Sequence, residues 1–266
     1  MQRGKNPNRY VAVDLNPTNI GCSVLEKVDD KGNYKVINVW SYDFSCYFDK
    51  KGYASNDKRQ KHYNNKRKYE LTVALKQLFK IALHYDCSHF VMEDLNCKAT
   101  DKLSREANRK TRNLWCRDLT TNIITKRCNE CGIELIEVNP CYSSFIGNIQ
   151  HPYADSCSAS VEIGRRGMYK YTKGMSFYPI VGTEDIGTLE SMFGTDRDDL
   201  CGIGNWVAIY KSLKRSFDKK SDFEYRFRAG NVRSAEHSFS MCSCRSRVKV
   251  HEFSPNNAAS CNNICI

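Results

Sequence analysis

The sequence predicts an α/β fold: a mixed five-stranded sheet in the order βββαβαβα, with flanking helices and a basic C-terminal extension. Three observations carry that reading. The first 44 residues hold three short runs rich in β-branched and aromatic residues, separated by tight turns. Two later apolar runs are each reached through a segment of helical periodicity, and a further helical segment follows the last of them. Hairpin turns impose antiparallel pairing, whereas a strand reached through a helix suits parallel pairing.

The elements follow in order. "RYVAVDLN" (9–16) is a β-type run ending in Asp14, "NIGCSVLEKV" (19–28) a second and "NYKVINVWSYDF" (33–44) a third. The polar, basic stretch "DKKGYASNDKRQKHYNNKRK" (49–68) reads as a loop. After it, Leu71, Leu75, Leu78, Phe79 and Ala82 make one face of a helix. "SHFVMEDLN" (88–96) is the fourth strand and leads into the polar "KATDKLSREANRKTRN". A second helix has Trp115, Leu119 and Ile123 one turn apart and stops at Gly132, a natural C′ residue. "IELIEVN" (133–139) is the fifth strand, closed by Pro140, and a last helix runs from Asp155 to Gly167. This is the ribonuclease H-like arrangement. It predicts a core over residues 1–167 and an extension over 168–266.

Composition narrows the partners. Lys and Arg outnumber Asp and Glu by 41 to 30, a formal charge of +11, which favours a polyanion such as nucleic acid. No run reaches the roughly 20 apolar residues of a membrane span. The opening residues show no signal-peptide pattern, and the 14 cysteines are scattered through strand- and helix-like segments. Reduced thiols in the cytoplasm or another reducing compartment are therefore expected, not secretion. Cys128-x-x-Cys131 has no second pair at ribbon or finger spacing, which disfavours zinc.

Three acids stand at particular places in this order. Asp14 ends strand one, Glu93 ends strand four, and Asp155 opens the last helix. Strands one and four are neighbours in such a sheet, so Asp14 and Glu93 would lie side by side. Close carboxylates resist joint ionisation unless a divalent cation joins them, and oxygen ligands suit Mg²⁺ or Mn²⁺. Two such ions activate water and stabilise the leaving oxygen of a phosphodiester. The competing reading of each acid alone is a turn or cap residue.

The same residues resemble a known family. "VAVDLNPTNIGCSVLE", "FVMEDLN" and "ELIEVNPCYSS" look like signature segments of RuvC-like nucleases, closest to TnpB (OrfB-type) transposon proteins and type V CRISPR effector nuclease domains. Asp14 and Gly21 match the first motif, and Glu93-Asp94-Leu95 the second. Tyr142, Ser143 and Ser144 stand where a Tyr-Thr-Ser motif is usual. The third motif matches less cleanly. "HPYADS" makes Asp155 the third ligand and adds His151, with Glu162 as the fallback. Only residues 145–154 occupy the interval where the family carries a zinc ribbon, and thirteen residues precede Asp14 where it carries a guide-RNA-binding region. The resemblance covers about residues 9–167 and implies a DNA endonuclease using two Mg²⁺ or Mn²⁺ ions at Asp14, Glu93 and Asp155, without RNA guidance.

Basic residues near the acid-bearing ends are expected to grip phosphates. They are Lys58, Arg59, Lys61, Lys66, Arg67, Arg109, Lys110 and Arg112, with Tyr142, Ser143, Ser144, Arg165 and Arg166 beside them. Tyr53, His62 and Tyr63 are candidates for stacking on bases. DNA, single-stranded, duplex or branched, is the expected partner, and RNA is the other polyanion the charge allows. A stand-alone Holliday-junction resolvase fits, and symmetric cutting would call for a homodimer. Two other classes stand beside it: a nucleic-acid-binding module with an inactive site, and an actin- or Hsp70-like ATPase half. The second lacks another phosphate-binding hairpin. In the extension, "RDDLCGIGNWVAIYKSLKRSF" reads as one helix with Trp206, Ile209, Tyr210 and Leu213 on one side, and the last 25 or so residues as loose.

Overall fold

Strand β1 (Asn6–Leu15) is buried on both faces from residue 11 to its end, so it must lie inside a sheet with both faces covered. In the computed structural model, which describes residues 4–16, 19–44, 57–94, 117–172, 177–201 and 203–229, it does. On one side it pairs antiparallel with β2 (Asn19–Lys27), which pairs antiparallel with β3 (Tyr34–Asp43). On the other it pairs parallel with β4 (Cys87–Glu93), and β4 with β5 (Glu134–Val138). The order β3-β2-β1-β4-β5 is the ribonuclease H-like mixed sheet expected from the sequence.

Alternation of side chains sorts the strands into two cores. Val11, Val13, Phe90 and Met92 face α1 (Asp57–His84) and α2 (Arg117–Cys131). Tyr10, Ala12 and Val91 face α4 (Asp155–Tyr169) on the opposite side. A third core joins α3 (Ser143–Gln150) to α5 (Thr183–Phe193), α6 (Arg197–Cys201), α7 (Trp206–Arg215) and α8 (Lys220–Ala229). Phe145 is its centre, with ring contacts to Trp206, Tyr210, Phe223 and Phe227.

Several expectations need correction. Helix α1 takes up residues 57–68, expected as loop; Lys, Arg and Gln favour helix there, but no apolar stripe precedes Leu71 to reveal it. In α2 the buried stripe is Thr120, Ile124 and Cys128, one residue out of phase with Leu119 and Ile123. Trp115 lies outside the described residues. Helix α3 occupies a tract expected as a connector. The single helix expected over 197–217 is split, because Asn205 caps a new start by accepting from the Ala208 N–H at 2.8 Å.

What sets α4 so close to the sheet is the absence of side chains. A Cβ on Gly21 would stand 2.0 Å from the Ser156 carbonyl oxygen, and one on Gly167 would stand 2.4 Å from Val91. Gly21→Ala is therefore expected to lower stability by roughly 1–3 kcal/mol, since the obstructing atoms are backbone. Urea unfolding of the variant beside the wild type measures it.

Candidate active site

Tyr10 and Ala12 belong to the core beneath α4, and Asp14 continues their row to the end of β1. In β4, Val91 belongs to that core and Glu93 continues its row. Ala12 pairs with Val91 in parallel register, so two residues further along each strand the carboxyl groups of Asp14 and Glu93 meet. Asp14 also pairs with Gly21, the glycine over which Ser156 sits. That contact brings Asp155, in the first turn of α4, to the same corner.

The electrostatics of this corner are unfavourable for the carboxylates alone. Asp14 is 3% exposed. Burial, then the charge of Glu93 and a hydrogen bond shared with it, then the charge of Asp155, hold the Asp14 carboxyl well above its ordinary pKa. Asn16, whose side-chain amide donates to Asp14 Oδ2 at 2.5 Å, pulls the other way. Asp155 is engaged on both oxygens. Asn148 Nδ2 donates to Oδ1 at 2.5 Å, and Arg228 Nη1 is 3.7 Å from Oδ2. Among the described residues, no three acidic, histidine or cysteine side chains already converge as a closed metal cage. The buried Asp14 carboxyl and the half-buried Glu93 carboxyl beside it nevertheless fit a divalent ion by chemistry, being hard oxygen donors.

The other expected residues divide. Glu162, the fallback ligand, is fully buried and held by Arg165 (Nε–Oε2 2.7 Å, Nη2–Oε1 3.0 Å) and Arg166 (Nε–Oε1 2.7 Å). Burial alone would raise its pKa, but the two guanidinium groups more than offset that and hold it below the ordinary value. Neither arginine is presented to a phosphate backbone. Arg165 donates to the Phe177 carbonyl, and Arg166 to the carbonyls of Asn139 and Cys141, which ties α4 to the chain on either side of α3. Arg67 and Ser143 are also buried. Tyr142, in a left-handed conformation (φ 62°) at the start of α3, packs edge-on against Tyr178 and Tyr210. Ser144 is half-buried and its carbonyl accepts from Asn148. Lys66 is half-buried and His62 exposed on α1. Arg109, Lys110, Arg112 and Tyr53, and the side chains of Lys58, Arg59, Lys61 and Tyr63, lie outside the described residues. His151 Nε2 lies 3.1 Å from the Tyr34 hydroxyl.

Asn16, Asn148 and Arg228 were not anticipated. Asn16 stands two residues after Asp14, where a polar neighbour carries no special signal. Asn148 was hidden in the unrecognised α3, which the pattern Phe145, Ile146, Ile149 could have revealed. Arg228 has no local signal at all, because only the packing of α8 brings it near.

No protein-family model matches this sequence, and no curated protein matches it. Among solved structures, the chain is similar to T. thermophilus RuvC in complex with Holliday junction substrate, at 8% identity and a TM-score of 0.36, over 62% of this chain and 96% of that one. It is also similar to Fowlpox virus resolvase in complex with Holliday junction DNA, at 13% identity and a TM-score of 0.36, over 62% and 99%.

Two outcomes follow from this geometry. Glu93→Gln removes one of two repelling carboxylates, so at pH 8 in EDTA it should melt above the wild type, by roughly 2–4 °C per kcal/mol relieved. Mg²⁺ should raise the wild-type melting temperature and leave the variant's nearly unchanged. Separately, burial pushes His151 down to about 4. Below pH 6.5 the unfolded chain then binds a proton that the folded one refuses, so stability falls as pH drops from 6.5 towards 4. His151→Gln should flatten that part of a urea-midpoint against pH profile.

Proposed function

We propose that the protein is a metal-dependent endonuclease that hydrolyses phosphodiester bonds in DNA. The observation that carries this reading is the buried Asp14 carboxyl with Glu93 beside it, aligned by parallel strand register at the ends of two inner strands of a ribonuclease H-like sheet, with Asp155 at the adjoining helix start. The +11 charge and the RuvC-like motifs around these acids support it. The kinship with TnpB-type proteins belongs to the same proposal.

Asp14, Glu93 and Asp155 would hold two Mg²⁺ or Mn²⁺ ions. Bound there, such ions supply an activated water and charge stabilisation for the leaving 3′ oxygen. The chain's own residues prepare that site. Asn16 and Asn148 orient the carboxyl groups of Asp14 and Asp155 through their amide donors. Burial of Asp14 beside Glu93 raises the cost of leaving it ionised without a cation. The exposed basic residues would hold the phosphate backbone without regard to sequence. A stand-alone resolvase acting on four-way junctions is the specific form we favour, working as a homodimer if it cuts symmetrically.

Cleavage of end-labelled single-stranded, duplex and four-way-junction DNA with Mg²⁺, Mn²⁺ or EDTA tests this. The expected result is metal-dependent cutting that Glu93→Gln lowers at least about 100-fold, on the scale of losing a transition-state charge contact. Paired, symmetric incisions in the junction would identify the resolvase. Tight binding with no cutting of any substrate would overturn the nuclease and favour the inactive binding module.

A further inference from the structure

The C-terminal extension reaches the acid cluster through one side chain. Helix α8 is anchored by Phe223 and Phe227, both buried in the third core at i and i+4. The neighbouring stripe of the helix is a ladder of alternating charge. Lys220 Nζ is 3.1 Å from Glu224 Oε1, Glu224 Oε2 is 3.9 Å from Arg228 Nη2, and Arg228 Nη1 is 3.7 Å from Asp155 Oδ2. Arg228 also lies 5.8 Å from the centre of the Phe227 ring.

Two kinds of arginine–carboxylate contact are present in this protein. Arg165 and Arg166 meet Glu162 at 2.7 Å, are buried, and have the geometry of structural ties. The Arg228 guanidinium has two contacts near the limit of an ion pair, and its side chain is 47% exposed. Pairs of that kind contribute little to stability. Their worth lies in where they hold the charge. A rigid helix on a packed aromatic core presents a guanidinium at the mouth of a carboxylate cluster.

We infer that Arg228 is a phosphate-binding residue of the substrate site, resting on Asp155 until DNA and metal arrive. This rests on the nuclease reading above. A divalent cation at Asp155 would compete with the guanidinium for the same carboxylate, so its binding would free Arg228 for another anion. The group freed is a planar fork of donors that matches two phosphate oxygens, and the anion that substrate brings to this place is a phosphate. The charge around it agrees: residues 203–229 carry seven Lys and Arg against three Asp and Glu.

The test compares wild type, Arg228→Ala and Arg228→Lys. Binding of labelled four-way-junction DNA is followed by anisotropy across a salt series in Ca²⁺, which takes oxygen ligands, with the DNA checked for integrity on a gel. Mn²⁺ affinity without DNA is read by electron paramagnetic resonance. The expected result for Arg228→Ala is DNA affinity about 5- to 10-fold weaker and a salt slope smaller by about one, with Mn²⁺ affinity equal or higher. Arg228→Lys should restore the slope. DNA binding and salt slope unchanged in Arg228→Ala would overturn the inference and leave a surface ion pair. A loss of Mn²⁺ affinity would overturn it too, by making Arg228 a support for Asp155. The nuclease reading fails separately, if the wild type cuts nothing with Mg²⁺ or Mn²⁺, and the binding comparison still decides Arg228.

Discussion

The contact between helix α4 and the end of the sheet is the constraint on which the rest depends. Gly21 lets the Ser156 backbone lie where any side chain would stand, and Gly167 does the same against Val91 at the other end of the helix. That closeness buries one face of β1 and β4, and with it the carboxyl of Asp14. Burial turns an ordinary pair of acids into a strained one, since Asp14 loses water and gains a like-charged neighbour in Glu93. The candidate chemistry is thus a consequence of packing: moved apart into solvent, the same side chains would be unremarkable surface acids.

The same helix also ties the core to the extension. Glu162 cannot be left buried with a bare charge, and Arg165 and Arg166 neutralise it. Arg165 Nη2 also reaches the Phe177 carbonyl on one side, and Arg166 Nη1 those of Asn139 and Cys141 on the other. Glu162, the fallback metal ligand of the sequence reading, is thus held in a clamp by two arginines. Removing one arginine would leave a buried charge under-compensated, so the clamp is kept whole or not at all.

Much of this was legible in the residues. The apolar runs in "RYVAVDLN" and "SHFVMEDLN" put Asp14 and Glu93 at strand ends, and tight turns and intervening helices pointed to the antiparallel and parallel pairings. The phase of α2 was misread because Thr120 and Cys128, neither strongly apolar, fill the buried stripe between Ile124 and its neighbours. Helix α3 is eight residues long, so its apolar pattern, Phe145, Ile146 and Ile149, spans little more than one turn and was passed over. The arginines were misjudged for another reason: a charged side chain declares its sign in the sequence but not its partner. Arg165 and Arg166 look like phosphate contacts until Glu162 is seen one helical turn away, and Arg228 looks like surface until α8 is packed.

The four side chains at this corner come from widely separated points of the chain: Asp14, Glu93, Asp155 and Arg228. During synthesis the first two can meet only after β4 has left the ribosome, and the third only once α4 can settle over Gly21. The guanidinium arrives last, behind the aromatic core that carries α8. A nascent chain therefore has no assembled acid cluster until α4 has emerged, and no guanidinium beside it until α8 has followed.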